Sequence, residues 1–245
     1  MEEKIARLIK ESKRCFAFTG AGISTESGIP DFRTPGSGLW EKVDPTKYAT
    51  SDVLMNSPEL FWRNGFTRYK QLLQAVPNPG HYALAAMEEM GLLSGLITQN
   101  IDNLHYKAGS RKIYEVHGHI RTCRCTSCRS HFEFNVLLEQ LDRDIIPPLC
   151  EACEKPLRPD IVLFGDQMAD DYLSALDDLS FGCDLMLVVG SSLAVYPAAD
   201  MPRLADKLVI INKMPTPLDG RAVHVMHTSS GEVLAKIAAI LQNSA

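Results

Sequence analysis

Four cysteines stand in two pairs, Cys125-x2-Cys128 and Cys150-x2-Cys153, with 21 residues between the pairs. A CxxC pair turns tightly enough to aim two thiolates at one ion, and two such pairs supply the four sulfur ligands of a tetrahedral zinc. Four protein ligands leave no position for water or substrate, so the expected role is one structural zinc. Cys123 fits the spacing less well and is left out of the set. A redox reading of the pairs lacks a thioredoxin-like context.

A second group of residues points to a nucleotide. Gly20-Ala21-Gly22-Ile23-Ser24-Thr25 follows an apolar run, where glycines let the backbone approach a pyrophosphate and a following helix N-terminus supplies amide donors. Thr25 replaces the third glycine of the usual fingerprint. The acidic residues about twenty positions on, Glu41 and Asp44, fall in a loop, which disfavours a hydride-transferring dehydrogenase. Three further segments carry polar chemistry: Gly28-Ile29-Pro30-Asp31-Phe32-Arg33, Gln99-Asn100-Ile101-Asp102 and Glu115-Val116-His117-Gly118. His117 falls at an expected strand end, and an imidazole titrating near 6.5 can serve as a base near neutrality. His81, His105, His119, His131, His224 and His227 lack that placement and read as structural.

Positioning these residues requires a sheet whose strand ends converge. Short β-branched or aromatic runs at 15–19, 95–99, 113–116, 161–164, 185–189, 208–211 and 223–226 alternate with helix-period segments at 59–75, 81–90, 174–179 and 232–242. That alternation predicts an α/β fold, a Rossmann-like doubly wound parallel sheet, with ligands in the crevice outside the strand C-termini. Ser229, Ser230 and Gly231 are the expected caps of the last helix. Residues 1–122 and 159–245 are assigned to the nucleotide-binding domain and 123–158 to a zinc-ribbon insertion. Residues 31–58, rich in Gly, Pro and Ser, form a candidate mobile cofactor-binding loop.

The chain has 245 residues, 45% apolar and 22% charged, with a formal charge of -5. That length sustains a large core without disulfides, and the charge offers no footprint for direct nucleic-acid binding. The longest apolar runs, 185–189 and 208–211, fall far short of the ~20 residues of a membrane span, so no membrane partner is expected. Residues 1–10 read as the start of a charged amphipathic helix rather than an export signal. Seven cysteines, an odd count, suit a metal site in a reducing compartment, and a cytoplasmic location is expected.

Gly20-Ala21-Gly22-Ile23-Ser24, Gly28-Ile29-Pro30-Asp31-Phe32-Arg33, Thr98-Gln99-Asn100-Ile101-Asp102-Asn103-Leu104-His105, Val116-His117-Gly118, the CxxC pairs, Phe164-Gly165-Asp166, Gly190-Ser191-Ser192-Leu193 and Ile211-Asn212 follow one another in an order and spacing that resembles the sirtuins. The resemblance runs from about Cys15 to the final helix. It implies an NAD-dependent protein-lysine deacylase. Gly20, Ala21, Gly22, Thr25, Asp31, Phe32 and Arg33 then hold NAD, with Gln99, Asn100, Ile101 and Asp102 around the nicotinamide and its ribose. Gly190, Ser191, Ser192 and Asn212 match the adenosine end. The acyl oxygen of a modified lysine attacks the ribose carbon as nicotinamide leaves, His117 removes a ribose hydroxyl proton, and the acyl group ends on ADP-ribose. Asn100 and Asp102 join His117 as the catalytic set. An acyl-lysine peptide is expected against Val162, Leu163, Phe164, Gly165 and Val195, adding as a strand.

Two positions depart from the family pattern. Asp166 stands where glutamate is frequent, and Gly65 with Arg68 stands where sirtuins that prefer succinyl- or malonyl-lysine resemble one another in a Tyr-x-x-Arg pair. The missing tyrosine favours uncharged acyl groups such as acetyl. A mono-ADP-ribosyltransferase, which breaks the same glycosidic bond with another nucleophile, and a non-catalytic zinc-ribbon binding module are the alternative readings.

Overall fold

The computed structural model describes residues 1–31 and 45–243. Nine strands occur among them: β1 (Cys15–Thr19), β2 (Gly95–Thr98), β3 (Ile113–Glu115), β4 (Gly118–Cys125), β5 (His131–Glu133), β6 (Leu157–Ile161), β7 (Leu185–Val189), β8 (Lys207–Ile211) and β9 (His224–Met226). Six form a parallel sheet in the order β3-β2-β1-β7-β8-β9. The winding reverses between β1 and β7, which makes their C-terminal ends the topological switch point.

Strands in the middle of such a sheet are buried on both faces, so their runs are apolar throughout rather than alternating. β1 and β7 are buried at every position. Successive side chains leave on opposite faces. Cys15, Ala17, Leu185, Leu187, Val209 and Ile211 pack with Ile5 and Ile9 of α1 (Glu2–Glu11) and with a helix pair behind the sheet. Phe16, Phe18, Met186, Val188, Leu208 and Ile210 pack on the other face against Ala175 and Leu179. The longer helices are α1, α2 (Pro58–Gln74), α3 (Pro79–Glu89), α4 (Phe134–Asp142), α5 (Asp170–Ser180) and α6 (Ser230–Gln242). None is long and apolar enough to cross a membrane among the described residues.

Ser229 occupies the N-cap position of α6 without a side-chain cap bond. The expected serine cap is supplied from elsewhere. Glu26 Oε1 accepts the Gly231 N–H at 2.9 Å, placing a carboxylate at the positive end of the helix.

The expected strand at 161–164 differs. β6 ends at Ile161 and pairs antiparallel with β4 in a second sheet of order β5-β4-β6. Beyond it the Asp166 carboxylate takes the Leu163 N–H at 3.0 Å, and Gly165 turns at a φ of 90°. A side chain thus holds an amide that a strand would have shared with a neighbour. This smaller sheet escaped the sequence reading because charged residues and a register shift between Gly118 and Cys123 break the alternation of β4. Its core joins Ile120, Cys125, Leu137, Cys150 and Leu157 to Leu54, Phe61, Trp62 and Leu72, so the helices before Gln74 and the cysteine region share one apolar cluster.

Candidate functional site

A cleft of about 870 Å³ opens at the C-terminal ends of β1, β2, β7 and β8 and extends to the smaller sheet. It is within the size range of small-molecule sites. Gly20, Ala21, Gly22, Thr25, Asp31, Gln99, Asn100, Ile101, Asp102, His117, Gly190, Ser191, Ser192 and Asn212 all line it, as do Val162, Leu163, Phe164, Gly165 and Val195. Segments spread over about two hundred positions of sequence thereby meet at one surface. Phe32 and Arg33, with the rest of 32–44 in the expected loop, lie outside the described residues.

The floor is built at the switch point. Gly20 N–H donates to Val189 C=O at 3.1 Å and Gly22 N–H to Gly190 C=O at 2.7 Å. A Cβ on Gly22 would lie 2.7 Å from Gly190 Cα, and one on Gly190 would lie 2.2 Å from the Ile23 nitrogen. The two turns nest so closely that no side chain fits between them. Ser191 Oγ accepts from Gln99 Nε2 at 2.9 Å and from Leu193 N–H at 3.2 Å, joining the β2 and β7 ends. Thr25 Oγ1 donates to Gly22 C=O at 2.9 Å, which holds the turn.

His117 Nδ1 lies 3.0 Å from the Gln99 carbonyl oxygen. A carbonyl only accepts, so Nδ1 carries the proton and Nε2 keeps its lone pair. Burial lowers the pKa of His117 below the usual 6.5, partly opposed by the Gln99 bond, so the ring is neutral at pH 7. A neutral imidazole with a fixed tautomer at a cleft wall is a ready base.

Asp102 is 4% exposed. Its Oδ2 accepts the Ser24 hydroxyl at 2.7 Å and its Oδ1 the Leu104 N–H at 2.9 Å. Burial raises its pKa against those two bonds. Asn100 Nδ2 donates to Ser24 Oγ at 3.1 Å and to Gly20 C=O at 3.2 Å. Ser24 therefore ties the β1 turn to both polar residues after β2. In the sequence this hydroxyl reads as part of a turn and His81, which approaches Ser24 at 3.4 Å, as structural. The spacing Asn78-Pro-Gly-His81 was the available signal, because it closes a capping box at the start of α3.

On the opposite wall, Phe164 N–H and C=O pair with Ala49 and Ser51, at 3.2 and 3.0 Å. Phe164 is 42% exposed and Tyr196 60%, and both line the cleft. Arg158 Nη2 meets Asp166 Oδ2 at 2.5 Å and the Ile161 carbonyl at 3.1 Å, so the ion pair braces this segment from beneath.

The thiols of Cys125, Cys128, Cys150 and Cys153 form a cluster whose sulfurs all lie within 4.8 Å of one another. Cys125 and Cys153 are 3.4 Å apart and Cys128 and Cys150 are 3.7 Å apart. Disulfide sulfurs would be about 2.05 Å apart, whereas sulfurs about 2.3 Å from a tetrahedral zinc are separated by about 3.8 Å. The donor set and its spacing fit one closed zinc shell. Cys123 points its thiol at the Glu133 carbonyl, 3.8 Å away, and stays outside the cluster.

Comparison with known proteins agrees with this arrangement. The family model described as Sir2 family matches residues 20–197. An NAD-dependent protein deacetylase 2 of Caldanaerobacter subterraneus subsp. tengcongensis is 48% identical over 235 residues, 96% of this chain and 94% of that protein. An NAD-dependent protein deacylase 2 of Pyrobaculum aerophilum is 42% identical over 237 residues, 95% of this chain and 93% of that protein. A solved Sir2 structure described with p53 peptide and NAD+ superposes with a TM-score of 0.87 at 37% identity, covering 97% of both chains. The shared length, the matching fold and the convergence of the expected residues on one cleft lead to a single conclusion: this chain belongs to the Sir2 family.

Proposed function

We propose that the protein is an NAD-dependent protein-lysine deacylase that favours acetyl and other uncharged acyl groups. The observation that carries this reading is His117, neutral and with Nε2 left free as an acceptor, on the cleft that also holds the glycine turn and the Phe164 segment. NAD, when bound, supplies a ribose carbon that takes the acyl oxygen as nicotinamide leaves, so that the acyl group ends on ADP-ribose. The protein's own part is binding, orientation and one proton transfer. Gly20, Ala21, Gly22 and Thr25, with Gly190, Ser191, Ser192 and Asn212, offer a side-chain-poor floor for the nucleotide. Asn100 and Asp102 are held rigidly by Ser24, and each Asp102 oxygen retains a lone pair for a carboxamide N–H. His117 takes a hydroxyl proton at Nε2, and burial keeps it ready to do so at neutral pH.

The acyl-lysine peptide is assigned to the wall of Val162, Leu163, Phe164, Gly165 and Val195, where exposed aromatic surface and braced backbone support it. Gly65 in the helix facing the cleft supports the preference for uncharged acyl groups. Cys125, Cys128, Cys150 and Cys153 hold one zinc that stabilises the smaller sheet and takes no part in the chemistry. Seven free thiols, four of them converging on a metal, support a reducing, cytoplasmic setting. The test is mass spectrometry of the protein with NAD and an acetyl-lysine peptide. Deacylation gives a lighter peptide, free nicotinamide and acyl-ADP-ribose. A heavier acceptor would indicate a mono-ADP-ribosyltransferase, and unchanged reactants a binding module.

A further inference from the structure

Two histidines lie behind the cleft floor. His81 is fully buried and His105 is 2% exposed, and their ring centroids are 4.8 Å apart. Neither is among the described residues that line the cleft. Each nevertheless starts a chain of hydrogen bonds that ends on it.

The bond directions follow from the partners. His81 Nδ1 accepts the Asn78 N–H at 3.3 Å, so its proton sits on Nε2 and is aimed at Ser24 Oγ. Ser24 donates in turn to Asp102. His105 Nε2 lies 3.0 Å from Thr19 Oγ1, and Thr19 donates its own proton to Thr98 Oγ1 at 2.9 Å. The Thr19 oxygen therefore receives the His105 Nε2–H. Thr98 Oγ1 also accepts the main-chain N–H of Asn100, at 3.1 Å. One chain reaches the Asp102 carboxylate and the other reaches the Asn100 backbone.

His105 is an expensive residue to keep in this place. Its Nδ1 is buried and has no hydrogen-bond partner among the described residues. Such an atom lowers stability, and an apolar side chain of similar size would avoid the cost. That nitrogen adds nothing to fold stability. What an apolar side chain would lose is the bond to Thr19 and, through it, the anchoring of Asn100. Burial also keeps both rings uncharged, with His81 pushed down to about 4 and His105 well below the usual histidine range.

We propose that His105 is a positioning residue for the nicotinamide end of the cleft, fixing Asn100 through Thr19 and Thr98 and steadying the Ser24–Asp102 arm through its contact with His81. The inference rests on the reading of the cleft as an NAD site. His105→Leu in the full-length protein is expected to melt at or above the wild-type temperature. Its kcat should fall about tenfold and its KM for NAD rise about threefold, with the KM for the acetyl-lysine peptide unchanged. His105→Gln, whose amide can still donate to Thr19, is expected to return to within about threefold of wild type. If His105→Leu does not fold, Thr19→Val cuts the same chain and should give the same split between NAD and peptide. Wild-type kcat and KM in His105→Leu, or in Thr19→Val where that variant replaces it, would overturn the proposal. So would a loss of rate that His105→Gln does not restore. If the wild type itself shows no turnover, the deacylase reading fails separately. NAD titration then decides: affinity weakened about threefold in His105→Leu supports the positioning role, and unchanged affinity overturns it.

Discussion

Gly190→Ala is the sharpest perturbation of the switch point. The new methyl would sit 2.2 Å from the Ile23 nitrogen and 2.5 Å from the Gly22 carbonyl carbon, both rigid backbone atoms. Relief requires the β1 and β7 turns to part by more than 1 Å, judged against normal van der Waals separations of about 3.5 Å. Parting them breaks the 2.7 Å bond from Gly22 N–H to Gly190 C=O, worth about 1 kcal/mol. The left-handed φ of 61° adds about 1 kcal/mol for an alanine, and displaced packing on both sides adds about 1–3 kcal/mol. A loss of roughly 3–5 kcal/mol should lower Tm by about 6–20 °C for a chain of this size. The KM for NAD should rise with it, because the same turns floor the proposed nucleotide site. Gly91→Ala is the control: φ is 71° but nothing lies within 4 Å of the added carbon, so only about 1 kcal/mol should be lost. The assay is thermal unfolding of both variants alongside NAD titration. Equal small shifts in the two would refute the nested-turn account.

Three further outcomes follow from the same structure. Removing the metal by chelation, or introducing Cys150→Ser, should lower Tm by on the order of 10 °C, and elemental analysis should give one zinc per chain; a fully stable metal-free wild type would contradict the zinc assignment. His81 titrates near 4 in the folded protein and near 6.5 when unfolded, so stability is full above about pH 7 and falls as the unfolded chain takes up a proton that the native state refuses. Its share approaches ~3 kcal/mol near pH 4, and His81→Asn should flatten the dependence of Tm on pH between 7 and 5; an unchanged slope would count against the burial argument. Asp166→Ala leaves Arg158 without its partner and frees the Leu163 N–H, which should cost about 3 kcal/mol and raise the KM for the peptide while leaving that for NAD unchanged. Asp166→Glu should restore the peptide KM, and a matched rise in both constants would tell against a role confined to the peptide wall.

Much of this is legible in the sequence. The doubly apolar runs at Cys15–Thr19 and Leu185–Val189 announce central parallel strands, and the polar turns after them locate the crevice. The CxxC spacing alone identified the metal cluster, because tetrahedral thiolate geometry is encoded over a few residues. The rest depends on contacts between distant segments. Ser24 lies 78 positions from Asp102, and Thr19 lies 86 from His105. No local pattern reports such pairs, so from the sequence His81 and His105 read only as structural. The end of β6 was equally hidden, since it is set by the Asp166 side chain capturing a backbone amide rather than by any change in hydrophobic period.

In the proposed reaction His117 serves as the base for acyl transfer to the ADP-ribose part of NAD, and His117→Ala tests that role most directly. The variant should retain NAD affinity within about threefold, because His117 lies on the cleft wall rather than on the floor proposed for the nucleotide, while deacylated peptide and acyl-ADP-ribose fall by about a hundredfold or more. Normal peptide turnover in a protein lacking the imidazole would contradict the account.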